Sequence, residues 1–308
     1  MPRKTVIGKI LLFGCIFLLS LRAAEGVSAG ENVWTSSGLD GYVVFDLAID
    51  PATPSILYAA AEVAGVMKTM NNGGDWTAVN NGMTSPMVDF VTVDPATPTT
   101  LYTGFVGIFK STNGGGNWTE ISTGLPPIGV IDTVIVHPTD SNTLYANTID
   151  WGVYKSINGG TNWNLTSHDL DPFFVHGLAI DPVTPSTLYA GTDEGMYKST
   201  NSGTNWSEIN TGLTNLQIWD VAVDPVNSST VYATTEAGVF KSTNGGAGWT
   251  EVNNGITDNT ILELVIHPEN TSILYIGTYA GHVLKARTEG RVGICSARAC
   301  RVKTFPLW

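Results

Sequence analysis

Residues 30–286 contain no arginine; the six arginines of the chain stand at Arg3, Arg22, Arg287, Arg291, Arg298 and Arg301. A guanidinium fork for a carboxylate or phosphate is therefore excluded from that stretch. Basic residues are scarce overall: 15 Lys+Arg stand against 27 Asp+Glu, for a net charge of −12. Neutralising a nucleic-acid backbone needs clustered Lys and Arg, so nucleic acid is excluded as a partner. Only three cysteines are present, too few for a disulfide-built scaffold. The apolar run Ile10–Leu21 is too short to span a bilayer, which takes about 20 residues. There is no Ser-His-Asp arrangement, no phosphate-cradling glycine loop and no Cys-based metal motif.

Glycine is plentiful (34) and charged residues are only 14%, the makeup of a turn-rich β protein. Residues 1–29 read as a signal peptide: Arg3, Lys4 and Lys9 precede the apolar run, and Val27-Ser28-Ala29 supplies small residues for cleavage. The chain is thus expected to be exported, secreted or periplasmic, with no membrane span once the leader is removed. Cys15 leaves with the leader. Cys295 and Cys300 would then meet an oxidising compartment, either as a local bridge or as two thiols.

Repetition dominates the rest. Trp34, Trp76, Trp118, Trp163, Trp206 and Trp249 recur every 42–45 residues. Asp50-Pro51, Asp94-Pro95, His137-Pro138, Asp181-Pro182, Asp224-Pro225 and His267-Pro268 keep the same beat, as do Lys68, Lys110, Lys155, Lys198, Lys241 and Lys285. Within a period, four short β-rich runs are separated by turn signals; in one period they begin near Ile218, Thr230, Gly238 and Trp249. Four strands per period of about 43 residues is the spacing of a propeller blade. The expectation is an all-β fold, a single six-bladed β-propeller of four-stranded blades over residues 30–286. The chain enters on a lone fourth strand, Asn32–Thr35, and the last period lacks one. The N-terminal strand is therefore expected to complete the last blade and close the ring. Residues 287–308 form a basic tail expected to be poorly ordered.

The hairpins carry Ser-x-Asn-x-Gly-x-x-Trp, as in Ser111-Asn113-Gly115-Trp118 and Ser242-Asn244-Gly246-Trp249, with Thr69-Asn71-Gly73-Trp76 as a variant. This resembles the Asp-box, or bacterial neuraminidase repeat, with Asn in place of Asp. The full period is similar to the repeats of sortilin-type ectodomains, xyloglucanases and the photosystem II assembly factor family. The resemblance implies the fold; it spans unrelated activities. In the residues themselves, Asn and Ser can bond back to turn amides and the Trp can seal the hairpin. The tryptophans and lysines of the repeat are accordingly read as structural.

Links between second and third strands, and between blades, share one end of the ring, and there the copies diverge. The former carry Glu62, Phe105, Asp150-Trp151, Asp193-Glu194, Glu236 and Tyr279; the latter include the long His168–Phe174 segment. Loops on a rigid scaffold are where binding residues tend to sit. Four or five residues before each Asp-Pro or His-Pro stands Asp46, Asp89, Asp132, His176, Asp220 or Glu263. On channel-lining first strands these would ring the channel mouth, raise one another's carboxyl pKa and attract cations. A cation at the mouth is conceivable, but no cofactor is expected, because His168, Asp169, Asp171 and His176 match no fixed zinc spacing. His137 and His267 read as turn residues; His282 has no assigned role.

Two classes of function follow. A sialidase, which the resemblance brings to mind, needs an arginine cluster that is missing. A neutral-glycan hydrolase, xyloglucanase-like, would use a carboxylate pair from the ring, with Trp151, Trp219 and Tyr279 to stack on sugars. The enzymes it resembles build their cleft between two propellers, and one is expected here. The reading preferred is a secreted, monomeric binding or scaffold module, with a protein or neutral glycan partner on the acidic, variable face.

Overall fold

The computed structural model describes residues 38–39, 41–149, 151–170, 174–280, 283–287 and 291–293. It is nearly all β: six four-stranded antiparallel sheets, arranged as blades in a ring, each following chain order from the channel outward. The first blade shows the local logic. Val44–Ile49 runs to Asp50-Pro51, mostly half-buried; Leu57–Ala61 is nearly all buried; Gly65–Thr69 follows; Thr77–Ala78 is exposed. Proline cannot donate to the ladder, so strand one stops there. The Asp50 carboxylate accepts from Ala52 and Thr53 N–H (2.9 and 3.0 Å), holding the turn. In the divergent copies His267 Nδ1 accepts both bonds, from Glu269 and Asn270 N–H, and His137 Nδ1 accepts the first, from Thr139 N–H, as expected of turn residues.

The hairpin motif acts as its residues suggest. Ser111 Oγ accepts from Gly115 N–H (3.0 Å), and Asn113 Oδ1 accepts from Asn117 N–H (2.8 Å). The same bonds recur in the other copies. Trp118, Trp163, Trp206 and Trp249 are buried. Three indoles donate backward to the preceding blade, at Val79, Ile121 and Ile209 carbonyls. In the fourth blade the longer link changes this: Asp169 Oδ2 accepts from Trp206 N–H (3.2 Å), and the indole bonds its own turn at Gly203. The lysines reach forward. Lys68, Lys110, Lys155 and Lys198 Nζ donate to Gly114, Gly159, Ser202 and Gly245 carbonyls in the next blade's turn, at 2.8–3.2 Å. Each of the six lysines lies over the tyrosine ring beside it on strand two.

The core consequently sits between blades. Phe90, Tyr102 and Ile108 pack with Ile131, Leu144 and Trp163 of the following blade, and the four other seams between blades consecutive in the chain repeat this. Two expectations need correction. Fourth strands are only two residues long in the first five blades, because the chain leaves the ladder to dock under the next tryptophan. The last blade takes its fourth strand from the C-terminal side. Arg291–Gly293 pairs with Val283–Arg287, so blade material runs past residue 286. A local hairpin closes a far shorter loop than a pairing of the two chain ends, and its entropy cost is smaller. The expected N-terminal strand at Trp34, and both tail cysteines, lie outside the described residues.

Candidate functional site

In five of the six blades the first strand begins with an irregular register, on the end of the ring that carries the variable links. Asp46, Asp220 and Glu263 stand opposite Ala60, Thr234 and Gly277, and the register skips Phe45, Trp219 and Leu262 just before them. In the third and fourth blades the skipped residues are Asp132 and His176. Asp89 directly precedes strand Phe90–Val93 and its N–H bonds the Gly104 carbonyl. The register thus sets these residues at two staggered positions, at or just before the starts of the first strands. All six side chains are half-buried. A bulge re-aims side chains at a strand end, which is how neighbouring positions come to share one mouth.

The carboxylates divide by what they bond. Asp46 accepts from its own strand at Leu47 N–H (2.7 Å) and from the next blade at Val91 N–H (2.8 Å). Asp220 repeats this with Val221 (2.7 Å) and Leu264 (2.8 Å). These two are seam bonds. Asp132 accepts only from Asn147 Nδ2 (3.2 Å), whose amide also donates to the His176 carbonyl (3.2 Å). Electrostatics follows this division. Burial pushes Asp89 up to about 7, helped by Glu62. Burial pushes Asp132 up to about 7, with Asp89, Asp220 and Asp46 adding and the Asn147 bond opposing. Glu263 is raised well above the glutamate range by burial, then by Asp220, Asp46 and Asp132. Asp220 is pushed up to about 6 by burial against its two backbone bonds; Asp46 is raised by burial against its own pair. The charges of neighbouring ring carboxylates thus act on Asp132 and Glu263, second to burial.

Trp219 lies in the mouth, its ring 5.1 Å from His176, with Phe174 stacked beyond at 6.5 Å. Trp151 and Tyr279 are about half exposed (48% each) on their second-to-third-strand links; Phe105 is half-buried. The same end exposes Tyr42, Val63, Met87 and Ile128, so it carries apolar as well as acidic surface. Asp169 serves the Trp206 turn; Asp150, Asp171, His282 and the side chain of His168 lie outside the described residues. Among the described residues no three His, Cys, Asp or Glu side chains converge as metal ligands do. Asn147 escaped the sequence reading. Its signal is visible in the repeat: where four copies carry Ala60, Gly104, Gly191 and Gly277, two carry Asn147 and Thr234. Both polar side chains are wholly buried, and Asn147 Oδ1 and Thr234 Oγ1 have no hydrogen-bond partner among the described residues.

The chain resembles solved propellers of two unlike kinds. An ancestral GH74 enzyme superposes at TM-score 0.67 with 23% identity, covering 81% of this chain and 37% of the enzyme. The GH74 enzyme of Niastella koreensis gives 0.64 and 23%, covering 79% and 44%. YCF48 bound to D1 peptide gives 0.61 and 16%, covering 79% of this chain and 77% of YCF48. At these identities the likeness shows the fold, and this chain spans less than half the length of those two GH74 enzymes. No family model and no curated protein sequence matches the chain. Among the described residues, no helix is long and apolar enough to cross a membrane.

Proposed function

We propose that this chain is an exported binding or scaffold module that takes a polypeptide partner on the end of the ring carrying the variable links. One observation carries the reading. That end combines exposed apolar side chains, such as Trp151 and Tyr279, with a carboxylate-lined mouth, while the opposite end is built from repeated, self-satisfied turns. Apolar anchors beside charge are what a protein partner requires. The solved YCF48 complex, a propeller holding a peptide, supports the choice of partner. Immobilised chain should capture protein partners from the exported fraction of its source, and W151A/Y279A should reduce capture at least tenfold. Equal capture by that variant would overturn the reading.

A second reading is favoured by Asp89 and Asp132, two carboxyl groups near neutrality suited to general acid–base work. The likeness to GH74 enzymes adds to it. Under that reading the chain hydrolyses a neutral polysaccharide. Reducing ends released from β-glucans, and lost in D89N, would establish it; their absence supports the binding module.

A further inference from the structure

The seam between the fifth and sixth blades lacks a part that other seams have. Trp118, Trp163, Trp206 and Trp249 each belong to the apolar cluster of the seam behind them. The cluster between the fifth and sixth blades, built on Tyr232, Val239, Ile261 and Leu274, has no tryptophan among the described residues. The sixth blade's own hairpin offers none, since residues 286–292 carry no Ser-x-Asn-x-Gly-x-x-Trp. At three other seams the tryptophan covers the residue just past the preceding blade's fourth strand. Val79, Ile121 and Ile209 are half-buried there, and their carbonyls accept the indole N–H at 2.6–2.7 Å. Their counterpart on the fifth blade, Val252, is 40% exposed.

A second observation lies at the other end of the chain. A left-handed glycine follows those fourth strands and lies against the next blade's tryptophan: Gly82 at Trp118, Gly124 at Trp163 and Gly212 at Trp249, with φ +89, +95 and +94. The apolar residue after it, Met83, Leu125 or Leu213, packs into the same seam. Gly38 and Leu39 repeat this step against the first blade. Gly38 has φ +85, and a Cβ there would stand 3.8 Å from Trp76 Cδ1; buried Leu39 packs with Met67 and Trp76. The backbone reaching Gly38 therefore comes off the outer edge of the last blade, where a fourth strand ends. Trp34 stands four positions before Gly38, against six from Trp118 to Gly124. The shortfall equals a two-residue fourth strand such as Thr119–Glu120, and in the last blade Arg291–Gly293 holds that ladder. We propose that the last blade is completed from both ends of the chain: Arg291–Gly293 supplies the ladder, and Trp34 docks as a wedge in the seam between the fifth and sixth blades, over Val252. Protein interiors are close-packed, and an indole in that place removes apolar surface of both blades from water. Residues 32–37 thereby latch the fifth, sixth and first blades together.

The test uses the full chain labelled with 5-fluorotryptophan and read by fluorine NMR. W34F assigns the Trp34 line by its loss; W118F and W151F assign a buried and a half-exposed indole for reference. The expected Trp34 line is shifted from its place in the urea-unfolded chain, and a soluble gadolinium chelate relaxes it at least threefold less than Trp151. V252A should move that line and leave Trp151 where it was. A Trp34 line at the unfolded position, relaxed as strongly as Trp151 or indifferent to V252A, would overturn the proposal. Sedimentation tests the source of the wedge. The chain should be monomeric with Trp34 protected at every dilution; protection lost as a dimer dissociates would mean that a second copy fills the seam, against closure within one chain.

Discussion

Lys198 shows how a residue that looks functional is absorbed by structure. Its ammonium lies over Tyr189 and donates to the Gly245 carbonyl at 2.8 Å, and partial burial lowers its pKa. Lys198→Met keeps the stem and removes both interactions. It should destabilise the chain by about 1–2 kcal/mol in urea unfolding. Gly124 sets a sharper steric test. It has φ +95, and a Cβ there would stand 2.2 Å from the Trp163 carbonyl, which is backbone and cannot swing away. Gly41 has the same φ with nothing within 4 Å. Gly124→Ala should therefore cost more than Gly41→Ala, which suffers only the left-handed conformation, on the order of 1 kcal/mol. Equal losses in thermal unfolding would show that the blade contact is soft.

At the scale of the element, a strand's end matters more than its middle. The Asp-Pro turn works because one acceptor holds two N–H groups, and His267 Nδ1 does this for Glu269 and Asn270 at 3.2 and 3.1 Å. H267D restores the repeat's usual acceptor and should be neutral or stabilising by up to about 1 kcal/mol, read by melting temperature. A fall in melting temperature would show that the imidazole has a role outside the turn. The strand pattern was legible in the sequence because turn chemistry is local: Ser, Asn and Gly within five positions act on each other's backbone. The two-residue fourth strands were not legible, since their length is set by the tryptophan of the next blade, about 40 residues on.

At the scale of the whole molecule, the mouth makes stability depend on pH. Asp89 and Asp132 sit near 7 in the fold, against the ordinary aspartate value near 4 in the unfolded chain. Between those values the folded state holds more protons than the unfolded state, so stability falls as pH rises. Full stability from these groups is present at acid pH and is lost on passing through about 7. Chemical denaturation from pH 5 to 8 should show that decline, and D89N/D132N should flatten it, gaining on the order of 1 kcal/mol per group at pH 8. An unchanged slope would mean that water in the channel already screens the mouth.

The amino-acid sequence by itself determined the period, the number of blades and which side chains hold the turns, because the Asp-Pro, Ser, Asn and Gly markers act on backbone only a few residues away. It also placed the six ring residues at the starts of first strands. Tertiary structure alone decided which carboxylates are free. Asp46 and Asp220 bond N–H groups about 45 residues on, in the next blade, while Asp89 and Glu263 accept no such bond, and Asn147 stands buried behind Asp132 with an open acceptor. The last blade's fourth strand was decided there as well. Pairing across a seam depends on how wedges meet around a ring, and no local pattern of residues encodes that distance.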